Sequence, residues 1–457
     1  MNTEGHIITL TILAWGHAKS VCALIVPFFE KANKEVDAQF SKEEANLRKR
    51  IRVVGLYAGE SSFDLDSLSN SFISEYRKLL ASEPVRVTPD STDHYDVVIP
   101  PKLLILDYFL PMTLNEVRSI SGKDVLVYSR AASAGGILFM FGPEELGGNG
   151  DLAEKIKKIE THDEKEKAKE ADKLYRRCYG NLINLAGRPP MYDYEHVPQE
   201  PILDQTFAFV SANVHKFFND SDGVVLNTTP IFEEPAITAF KSCEKREGQF
   251  PRSPGMIYIS FGTIYWFKNP EKFWVVLEEI VQAKIPFIFS IASPFASIPD
   301  EIKERISQSG IGLLSSWVPQ TDVLSHEACG WFFTHAGQNS SMESLSTGVP
   351  MICCPFDADQ PAIAACLSSV HNVAYELFEL RSGHGLKPIH RLRNRAPEGT
   401  IDSTRKEIKE VLALAYGPDG EEKRRKARVF QHELEQGWSS INNGSSWKEI
   451  AKITEVL

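Results

Sequence analysis

A group of polar residues around a glycine follows an apolar run in the second half of the chain. His335 ends the run GWFFTH (330–335), and Gly337, Asn339 and Ser340 come directly after it. We expect the run to be a strand and the residues after Gly337 to begin a helix. Backbone N–H groups at a helix N-terminus, with histidine and serine side chains beside them, bind phosphate. The pattern therefore predicts an anion site.

The acidic residues near this turn also have simpler explanations. Ser340 and Glu343 have the spacing of a capping box, so Glu343 could serve only its own helix. Asp359 precedes Gln360 and Pro361 as an N-cap residue precedes a first helical turn. Capping and ligand binding are both open for these residues.

A second group suited to chemistry lies in the N-terminal half. His17 follows an apolar run (7–14), and Asp107 lies in the apolar run KLLILDY (102–108). The pKa of a histidine lies near neutral pH, so His17 is a candidate general base. A carboxylate such as Asp107 is costly to bury without a partner, and His17 from a neighbouring strand would provide one. Capping or packing is the alternative for His17, and an N-cap role is the alternative for Asp107.

Several motifs of catalysis and cofactor binding are missing from the sequence. A G-x-G-x-x-G turn after a strand and a Walker A loop are both absent, which argues against dehydrogenases and P-loop enzymes. The H-E-x-x-H and G-x-S-x-G motifs are absent as well. Two Asp-x-Asp triplets, Asp64/Asp66 and Asp357/Asp359, have a spacing that can hold a divalent metal, but such short matches arise often by chance. We predict no metal site.

The elements that position these residues follow from the hydrophobic pattern. Short apolar runs alternate with amphipathic or charged segments, which predicts an α/β fold with parallel sheets. The predicted strands are 7–14, 51–57, 102–108, 124–130, 223–228, 255–263, 286–292, 311–317, 330–335 and 349–354. The predicted helices are about 20–35, part of the charged segment 151–177, the stretch 401–434, and a final helix from about Ser446.

The length of 457 residues suits two domains. The segment 241–255 is polar and contains two prolines, which is typical of a linker. We therefore predict an N-terminal domain (1–240), a linker (241–254), a C-terminal domain (255–440) and a C-terminal helix (441–457).

Composition excludes several classes of protein. The chain has 61 acidic and 50 basic residues, a net charge of −11, which argues against binding nucleic acid or an anionic membrane. Seven cysteines without a C-x-x-C pair argue against a disulfide framework or a structural zinc site. The apolar N-terminus is interrupted by His17 and Lys19, and no run reaches the roughly 20 residues that span a bilayer. We expect a cytoplasmic protein without a transmembrane segment.

The stretch from Trp317 to Gln360 resembles the donor-binding box of the family 1 UDP-glycosyltransferases, two-domain enzymes that glycosylate small lipophilic molecules. It reads W-V-P-Q…L-x-H…F-F-T-H-A-G-Q-N-S-x-x-E…G-V-P…P-F-x-A-D-Q, with the order and spacing of the plant-type signature. The S-F-G-T turn (260–263) and the G-H turn (16–17) extend the similarity along the chain. The C-terminal half resembles fungal members more than plant ones.

This resemblance implies the GT-B type of fold, two facing Rossmann-like domains with a nucleotide-sugar cleft between them. It also implies how the nucleoside is bound. Trp317 would stack on uracil, and the backbone of Val318 would pair with the edge of the base. Gln320 would lie near the ribose, and Glu343 would accept hydrogen bonds from the ribose hydroxyls.

The same resemblance implies the diphosphate and sugar contacts. The diphosphate would be held by the turn at Gly337 and by the side chains of His335, Asn339 and Ser340, with a weaker contact from Thr263. Asp359 and Gln360 would bond the sugar hydroxyls, with Ser129 as a further sugar contact, and a glutamine at 360 usually accompanies glucose. The plant box reads H-C-G-W-N-S where this chain has Ala336 and Gln338, so the choice of sugar stays open.

The implied reaction is an inverting displacement from a UDP-sugar, most simply UDP-glucose, with no cofactor beyond this co-substrate. His17 would be the general base, oriented by Asp107. The acceptor would be a small hydrophobic aglycone such as a phenol, flavonoid or sterol, in a pocket that includes Phe109 and Phe141. We expect a monomer.

Three alternatives are weighed against this prediction. A non-catalytic nucleotide-sugar-binding protein would keep the 317–360 stretch but would not need His17 and Asp107. A UDP-sugar epimerase on the same scaffold would bind UDP and release none in response to an acceptor. A membrane-bound glycosyltransferase is disfavoured because no transmembrane segment is predicted.

Overall fold

A computed structural model gives the fold of the chain. It describes residues 7–10, 37, 51–57, 64–131, 133–142, 144, 147–161, 163–200, 207–229, 231–233, 235–236, 255–438, 444–446 and 448. The predicted helix near 20–35, the linker 241–254 and nearly all of the predicted C-terminal helix lie outside these residues.

The strands of the described residues are short and are numbered in chain order. They are β1 Ile7–Leu10, β2 Val85–Arg86, β3 His94–Tyr95, β4 Leu103–Asp107, β5 Leu126–Ala131, β6 Leu182–Ile183, β7 Met191–Tyr192, β8 Gly223–Leu226, β9 Met256–Ser260, β10 Phe287–Ser290, β11 Gly312–Ser315, β12 Cys329–Thr334, β13 Met351–Cys353 and β14 Ala374–Glu376.

The α-helices are numbered in the same way. They are α1 Leu65–Leu80, α2 Pro111–Ser121, α3 Ala134–Phe141, α4 Leu152–Lys157, α5 Glu164–Arg176, α6 Phe207–Ala212, α7 Val214–Asp220, α8 Glu271–Gln282, α9 Asp300–Ser309, α10 Gln320–Ser325, α11 Gln338–Ser346, α12 Gln360–Ala365, α13 Ile401–Ala415 and α14 Pro418–Trp438. A short 3₁₀ helix spans Asp193–His196, and others span Gly383–Leu386 and His390–Leu392. A π-helical turn, Cys366–Val370, follows α12.

The chain divides into two compact units, and the first contains residues 1–131, 209–227 and 450–457. Its sheet has the order β1-β4-β5-β8, and all of these strands are parallel. The central strand β4 is apolar and almost completely buried, as expected of a parallel strand with both faces covered. The helix α2 follows β4 and begins with Pro111, which suits the first turn of a helix because its missing N–H would have no partner there.

The second unit contains residues 132–208 and 228–449. Its six-stranded sheet has the order β11-β10-β9-β12-β13-β14, with parallel pairing throughout. Counted from β9, this is the 3-2-1-4-5-6 order of a Rossmann fold. The predicted fold class, α/β with two Rossmann-like parallel sheets, is therefore confirmed.

Aromatic side chains fill the core of the second unit. Phe261, just after β9, packs edge-on against Phe273 and Phe333, with ring centroids 5.1 and 5.5 Å apart. Edge-to-face pairs of this kind stabilise a core beyond simple burial. This packing fixes the backbone where β9 ends and the following turn begins.

Several elements differ from the sequence prediction, and the two-residue strands β2, β3, β6 and β7 were not predicted. Residues 51–57 form no strand, because Val53 and Gly55 bond individually to Tyr95 and Val87 rather than in a ladder. The predicted helical stretch 401–434 is two helices, since Gly417 separates α13 from the proline that begins α14. The strand β14 was not predicted, because three residues of mixed polarity give no periodic signal.

The grouping of residues 132–208 also differs from the predicted N-terminal domain. Arg188 forms a fully buried ion pair with Glu233, 2.6 Å long, and donates to the carbonyl of Ala362 in α12. Glu233 in turn accepts hydrogen bonds from the N–H groups of Ala134 and Gly135 at the start of α3. The hydrogen bond to Ala362 joins this segment to the C-terminal residues.

Candidate functional site

The order of the second sheet identifies where a ligand would bind. The strands β9 and β12 are neighbours, and the chain continues from them towards opposite edges of the sheet. Open α/β sheets bind ligands beyond the carboxyl ends of the strands at such a switch point. The turns that follow β9 and β12 contain Gly262 and Thr263 on one side and His335 and Gly337 on the other. Three predicted donor residues therefore lie at the expected position.

His335 is tightly enclosed between these two turns. A Cβ atom added at Gly262 or Gly337 would lie only 3.0 or 2.6 Å from its Nε2 atom, so both glycines permit the close approach. Burial lowers the pKa of His335 to about 4, and a hydrogen bond with the backbone of Ser260 opposes the shift only in part. The imidazole is therefore neutral at pH 7 and acts as a hydrogen-bonding group rather than a cation.

The helix α11 begins at the turn after His335. Gly337 is its N-cap residue and provides no side-chain hydrogen bond, and Ala336 before it has a φ of +60°. The N–H groups of a first helical turn have no partner within the helix, and together with the helix dipole they favour an anion. The geometry predicted for the anion site is present, with Asn339 and Ser340 in this first turn.

The amide of Gln320 joins two of the predicted donor residues. Gln320 is the first residue of α10. Its Nε2 atom donates to Glu343 Oε2 at 2.8 Å and to Ser340 Oγ at 3.2 Å. The hydroxyl of Tyr258 donates a hydrogen bond to Oε1 of the same amide. Ser340 and Glu343 lie inside α11 and form no capping box, so that alternative is wrong.

Trp317 and Val318 lie between β11 and α10. The backbone of Trp317 is held by the hydroxyl of Ser315, which donates to its carbonyl at 2.7 Å, and 37% of the residue is exposed. Val318 is partly buried and packs on the core beneath the sheet. A partly exposed indole over a fixed backbone is a surface on which a flat ring can stack.

The loop after β13 contains the other predicted sugar contacts. Gln360 is buried, and its Oε1 accepts the N–H groups of Phe356 and Asp357 at 2.9 and 3.4 Å. Its Nε2 makes no hydrogen bond within the described part of the chain. Asp359 is at the N-cap position of α12, but its side chain does not cap the helix, so the simple capping role is wrong.

Asp107 lies at the end of β4 in the first unit and is completely buried. Its Oδ1 accepts the N–H of Phe109 at 3.1 Å, and its Oδ2 lies 3.9 Å from Arg130 Nη1 in the paired strand β5. Leu110, not Asp107, is the N-cap residue of α2, so that alternative is wrong. His17 lies outside the described residues, and its pairing with Asp107 stays a prediction.

Arg130 is the buried partner that the sequence analysis missed. It is the register partner of Asp107, and both charged residues come at the end of apolar strands. Burial lowers the pKa of Arg130, and the charge of Asp107 partly opposes that shift. A charged residue at matching ends of two adjacent parallel strands was the available signal. Beside it, Ser129 is buried, and its Oγ has no partner among the described residues.

The predicted acceptor residues Phe109 and Phe141 are both buried, with 7% and 5% exposure. Phe109 packs against Tyr108 in the first unit, with ring centroids 4.4 Å apart. Phe141 is the last residue of α3 in the second unit. Their role as pocket residues stays a prediction.

The sequence predicts neither a metal site nor a transmembrane segment. Within the ranges that the structure describes, no three histidine, cysteine or acidic residues are grouped closely enough to bind a metal ion. No helix in those same ranges has both the length and the apolar character needed to cross a bilayer. The expected monomer and its cytoplasmic location stay predictions.

Comparison with known proteins identifies a matching family model and curated relatives. Residues 241–382 match the family model described as UDP-glucoronosyl and UDP-glucosyl transferase. UDP-glycosyltransferase eriJ of the fungus Hericium erinaceus is 28% identical over 287 residues, 54% of this chain and 56% of that protein. UDP-glycosyltransferase 84A1 of Arabidopsis thaliana is 32% identical over 214 residues, 45% of this chain and 40% of that protein. The matches thus span about half the length of these curated relatives.

Solved structures share the fold over nearly the whole chain. The Phytolacca americana UGT2 complex with UDP-2fluoro-glucose and pterostilbene has a TM-score of 0.62 at 20% identity and covers 100% of both chains. A Siraitia grosvenorii transferase in complex with UDP has a TM-score of 0.64 at 16% identity and covers 99% of both chains. Residues 241–382 thus match the UDP-glucoronosyl and UDP-glucosyl transferase family, and the predicted resemblance of this chain to the family 1 UDP-glycosyltransferases is confirmed.

Proposed function

We propose that the protein transfers a hexose, most simply glucose, from a UDP-sugar to a hydroxyl group of a small lipophilic acceptor. The observation that carries this proposal is the pair of turns at the switch point of the second sheet. They combine an uncapped helix N-terminus, a buried neutral His335 and the Gln320–Glu343 hydrogen bond within the segment that matches the family.

The donor side of the reaction is supported by the chemistry of these groups. Uracil stacks on the exposed face of Trp317, and Glu343 accepts the ribose hydroxyls. The diphosphate takes hydrogen bonds from the first turn of α11 and from His335. Negative charge that builds on the departing UDP is stabilised by these fixed donors, which need no reorganisation during the reaction.

The acceptor side rests on His17 and Asp107. His17 removes the proton of the acceptor hydroxyl as the new glycosidic bond forms, and UDP leaves from the opposite face of the anomeric carbon. Asp107 orients the imidazole and stabilises the imidazolium, while Arg130 lies 3.9 Å from that carboxylate as its buried partner. The supporting observation is that a fully buried carboxylate lies at the end of the strand β4.

The test is UDP release from UDP-glucose with a panel of phenols, flavonoids and sterols, with products identified by mass spectrometry. We expect release that depends on the acceptor and a product heavier by one hexose. His17→Ala is expected to lower turnover about 100-fold or more, the scale of a general base. His94→Ala, which changes an exposed histidine of the same unit, is the matched control.

Other outcomes separate the alternatives. Tight UDP binding without transfer from UDP-glucose, UDP-galactose, UDP-xylose or UDP-N-acetylglucosamine would favour a nucleotide-sugar-binding protein. Conversion of UDP-glucose into another UDP-hexose without an acceptor would favour an epimerase. Full turnover in His17→Ala would contradict the role of that residue while leaving the transferase intact.

A further inference from the structure

The helix α5 is one of the most highly charged elements of the second unit, and its sequence suggests only a solvated surface. Ala171 is its sole buried residue among its 13 positions. Its last residue nevertheless reaches inward. The guanidinium of Arg176 is about nine-tenths buried, and its Nη1 donates to Asp357 Oδ2 at 3.2 Å.

The end of α5 is firmly anchored where Arg176 leaves it. The next residue, Arg177, donates to the carbonyls of Phe139 and Gly148, both at 2.8 Å. The carboxylate of Asp193 accepts the backbone N–H groups of residues 179, 180 and 181, which follow Arg177 closely in the chain. Asp172, one turn earlier, accepts Arg176 Nε at 2.8 Å and so fixes the plane of the guanidinium. Arg176 is therefore pre-oriented before it meets Asp357.

The partner of Arg176 belongs to the loop that contains the proposed sugar contacts. Asp357 accepts the N–H of Ala358, whose φ of +58° is unfavourable for a residue with a Cβ atom. The side-chain Oε1 of Gln360 accepts the backbone N–H of Asp357, so this hydrogen bond joins the two ends of the loop. A strained turn of this kind persists only when its surroundings hold it.

Resting on the function proposed above, we propose that Arg176 is a positioning residue for the donor sugar. It holds the loop of residues 357–360 in the conformation in which Asp359 and Gln360 meet the sugar hydroxyls. UDP itself is bound by other residues, around Trp317, Gln320 and His335. Loss of Arg176 should therefore weaken recognition of the sugar and spare recognition of the nucleotide.

The charges around this pair support a structural cation at position 176. Burial lowers the pKa of Arg176, but Asp357 and Asp172 outweigh that effect and raise it. Burial also raises the pKa of Asp357, and Arg176 opposes that shift. Arginine can bond two carboxylates from one planar group, which a lysine ammonium does with poorer geometry.

The experiment measures KM for UDP-glucose and Kd for UDP in parallel. Arg176→Ala is expected to raise the KM about tenfold, the scale of a small displacement of substrate-positioning groups. Its Kd for UDP should stay within twofold of the wild type, and Arg176→Lys should be intermediate. Lys173→Ala on the same helix, which removes an exposed Lys173–Glu170 ion pair, should change neither constant.

A double variant separates positioning from general destabilisation. Asp357→Asn keeps an acceptor for the Ala358 N–H but loses the charge, so Arg176→Ala/Asp357→Asn should be no worse in KM than the poorer single variant. Equal weakening of KM and of UDP binding would overturn the inference, as would a KM indistinguishable from Lys173→Ala. A wild-type protein that binds no UDP and transfers no sugar would instead refute the proposed function.

Discussion

The turns after β12 and β4 occupy equivalent positions at the carboxyl ends of central parallel strands, yet they are built differently. The turn after β12 places a neutral histidine between its own Gly337 and Gly262 of the neighbouring turn, and it begins a helix with no side-chain cap. The turn after β4 buries a carboxylate, Asp107, between Arg130 and a backbone N–H. The same architecture thus supports donors for an anion in one unit and a fixed negative charge in the other.

The largest expected effect is on the charged turn. Asp107→Ala leaves Arg130 buried without a counter-charge, so we expect a loss of about 3–5 kcal/mol in the free energy of unfolding. Chemical denaturation measures it, with Asp96→Ala at an exposed position of the same unit as the control. Asp107→Leu combined with Arg130→Met should recover part of the loss. A cost below about 1 kcal/mol for the single variant would mean that the pair is not a structural charge pair.

The second effect concerns acid stability and the turn after β12. The pKa of His335 is about 4 in the folded protein, and we take its ordinary value of 6.5 for the unfolded chain. The unfolded chain therefore binds more protons than the folded protein between pH 4 and pH 6.5. The contribution of His335 to the free energy of unfolding is fully present above pH 6.5. It decreases as the pH falls from 6.5 to 4, and about 2 kcal/mol is lost by pH 5. His335→Gln should reduce the loss between pH 7 and 5, whereas His94→Gln should not. An unchanged pH dependence in His335→Gln would refute the buried neutral state.

The third effect is on nucleotide binding and uses two glycines with positive φ. Gly262 and Gly310 have φ values of +74° and +67°, but only Gly262 lies against His335. Alanine at either position should cost about 1 kcal/mol of stability from backbone strain. Only Gly262→Ala should weaken UDP binding, about tenfold by calorimetry. Equal Kd values for the two variants would show that the turn at Gly262 does not contribute to UDP binding.

The smallest effect compares two buried hydroxyl groups. Ser69 Oγ bonds Thr113 Oγ1 at 2.6 Å between α1 and α2, and Ser340 Oγ accepts Gln320 Nε2 in the second unit. Alanine at either position should cost about 1 kcal/mol of stability. The Kd for UDP should rise a few-fold in Ser340→Ala and stay unchanged in Ser69→Ala. A shift of Kd in Ser69→Ala would contradict this division of roles.

The sequence analysis predicted the parts of the molecule that have strong local signals. The strands β9 and β12 are apolar runs followed by glycine-containing turns, so their turns could be expected to lie at the same edge of the sheet. The structure has His335 and Gly337, expected from the turn pattern, and Thr263, implied by the family resemblance, in the turns that follow these two neighbouring strands. Local patterns also predicted the helical character of the segment that contains α5.

The missed features depend on contacts between residues that are distant in the chain. Arg130 and Asp107 are 23 residues apart, and Arg176 and Asp357 are 181 apart. Hydrophobic periodicity reports which face of an element is buried, and it carries no information about which charged residues meet. The same limitation explains why residues 132–208 were assigned with the N-terminal half although their buried Arg188 bonds to Ala362 in α12.

Residues 132–208 bond to residues that are distant in the chain, and this affects the order in which contacts form during synthesis on the ribosome. The strands β5 and β8 pair on either side of residues 132–208, so the first sheet has all its described strands once residue 226 has emerged. Arg176 meets Asp357 only after a further 181 residues have followed it, about 10–35 s at ordinary rates of translation. During that interval Arg176 is without Asp357, and the contacts of Arg177 with Phe139 and Gly148 can already hold the end of α5.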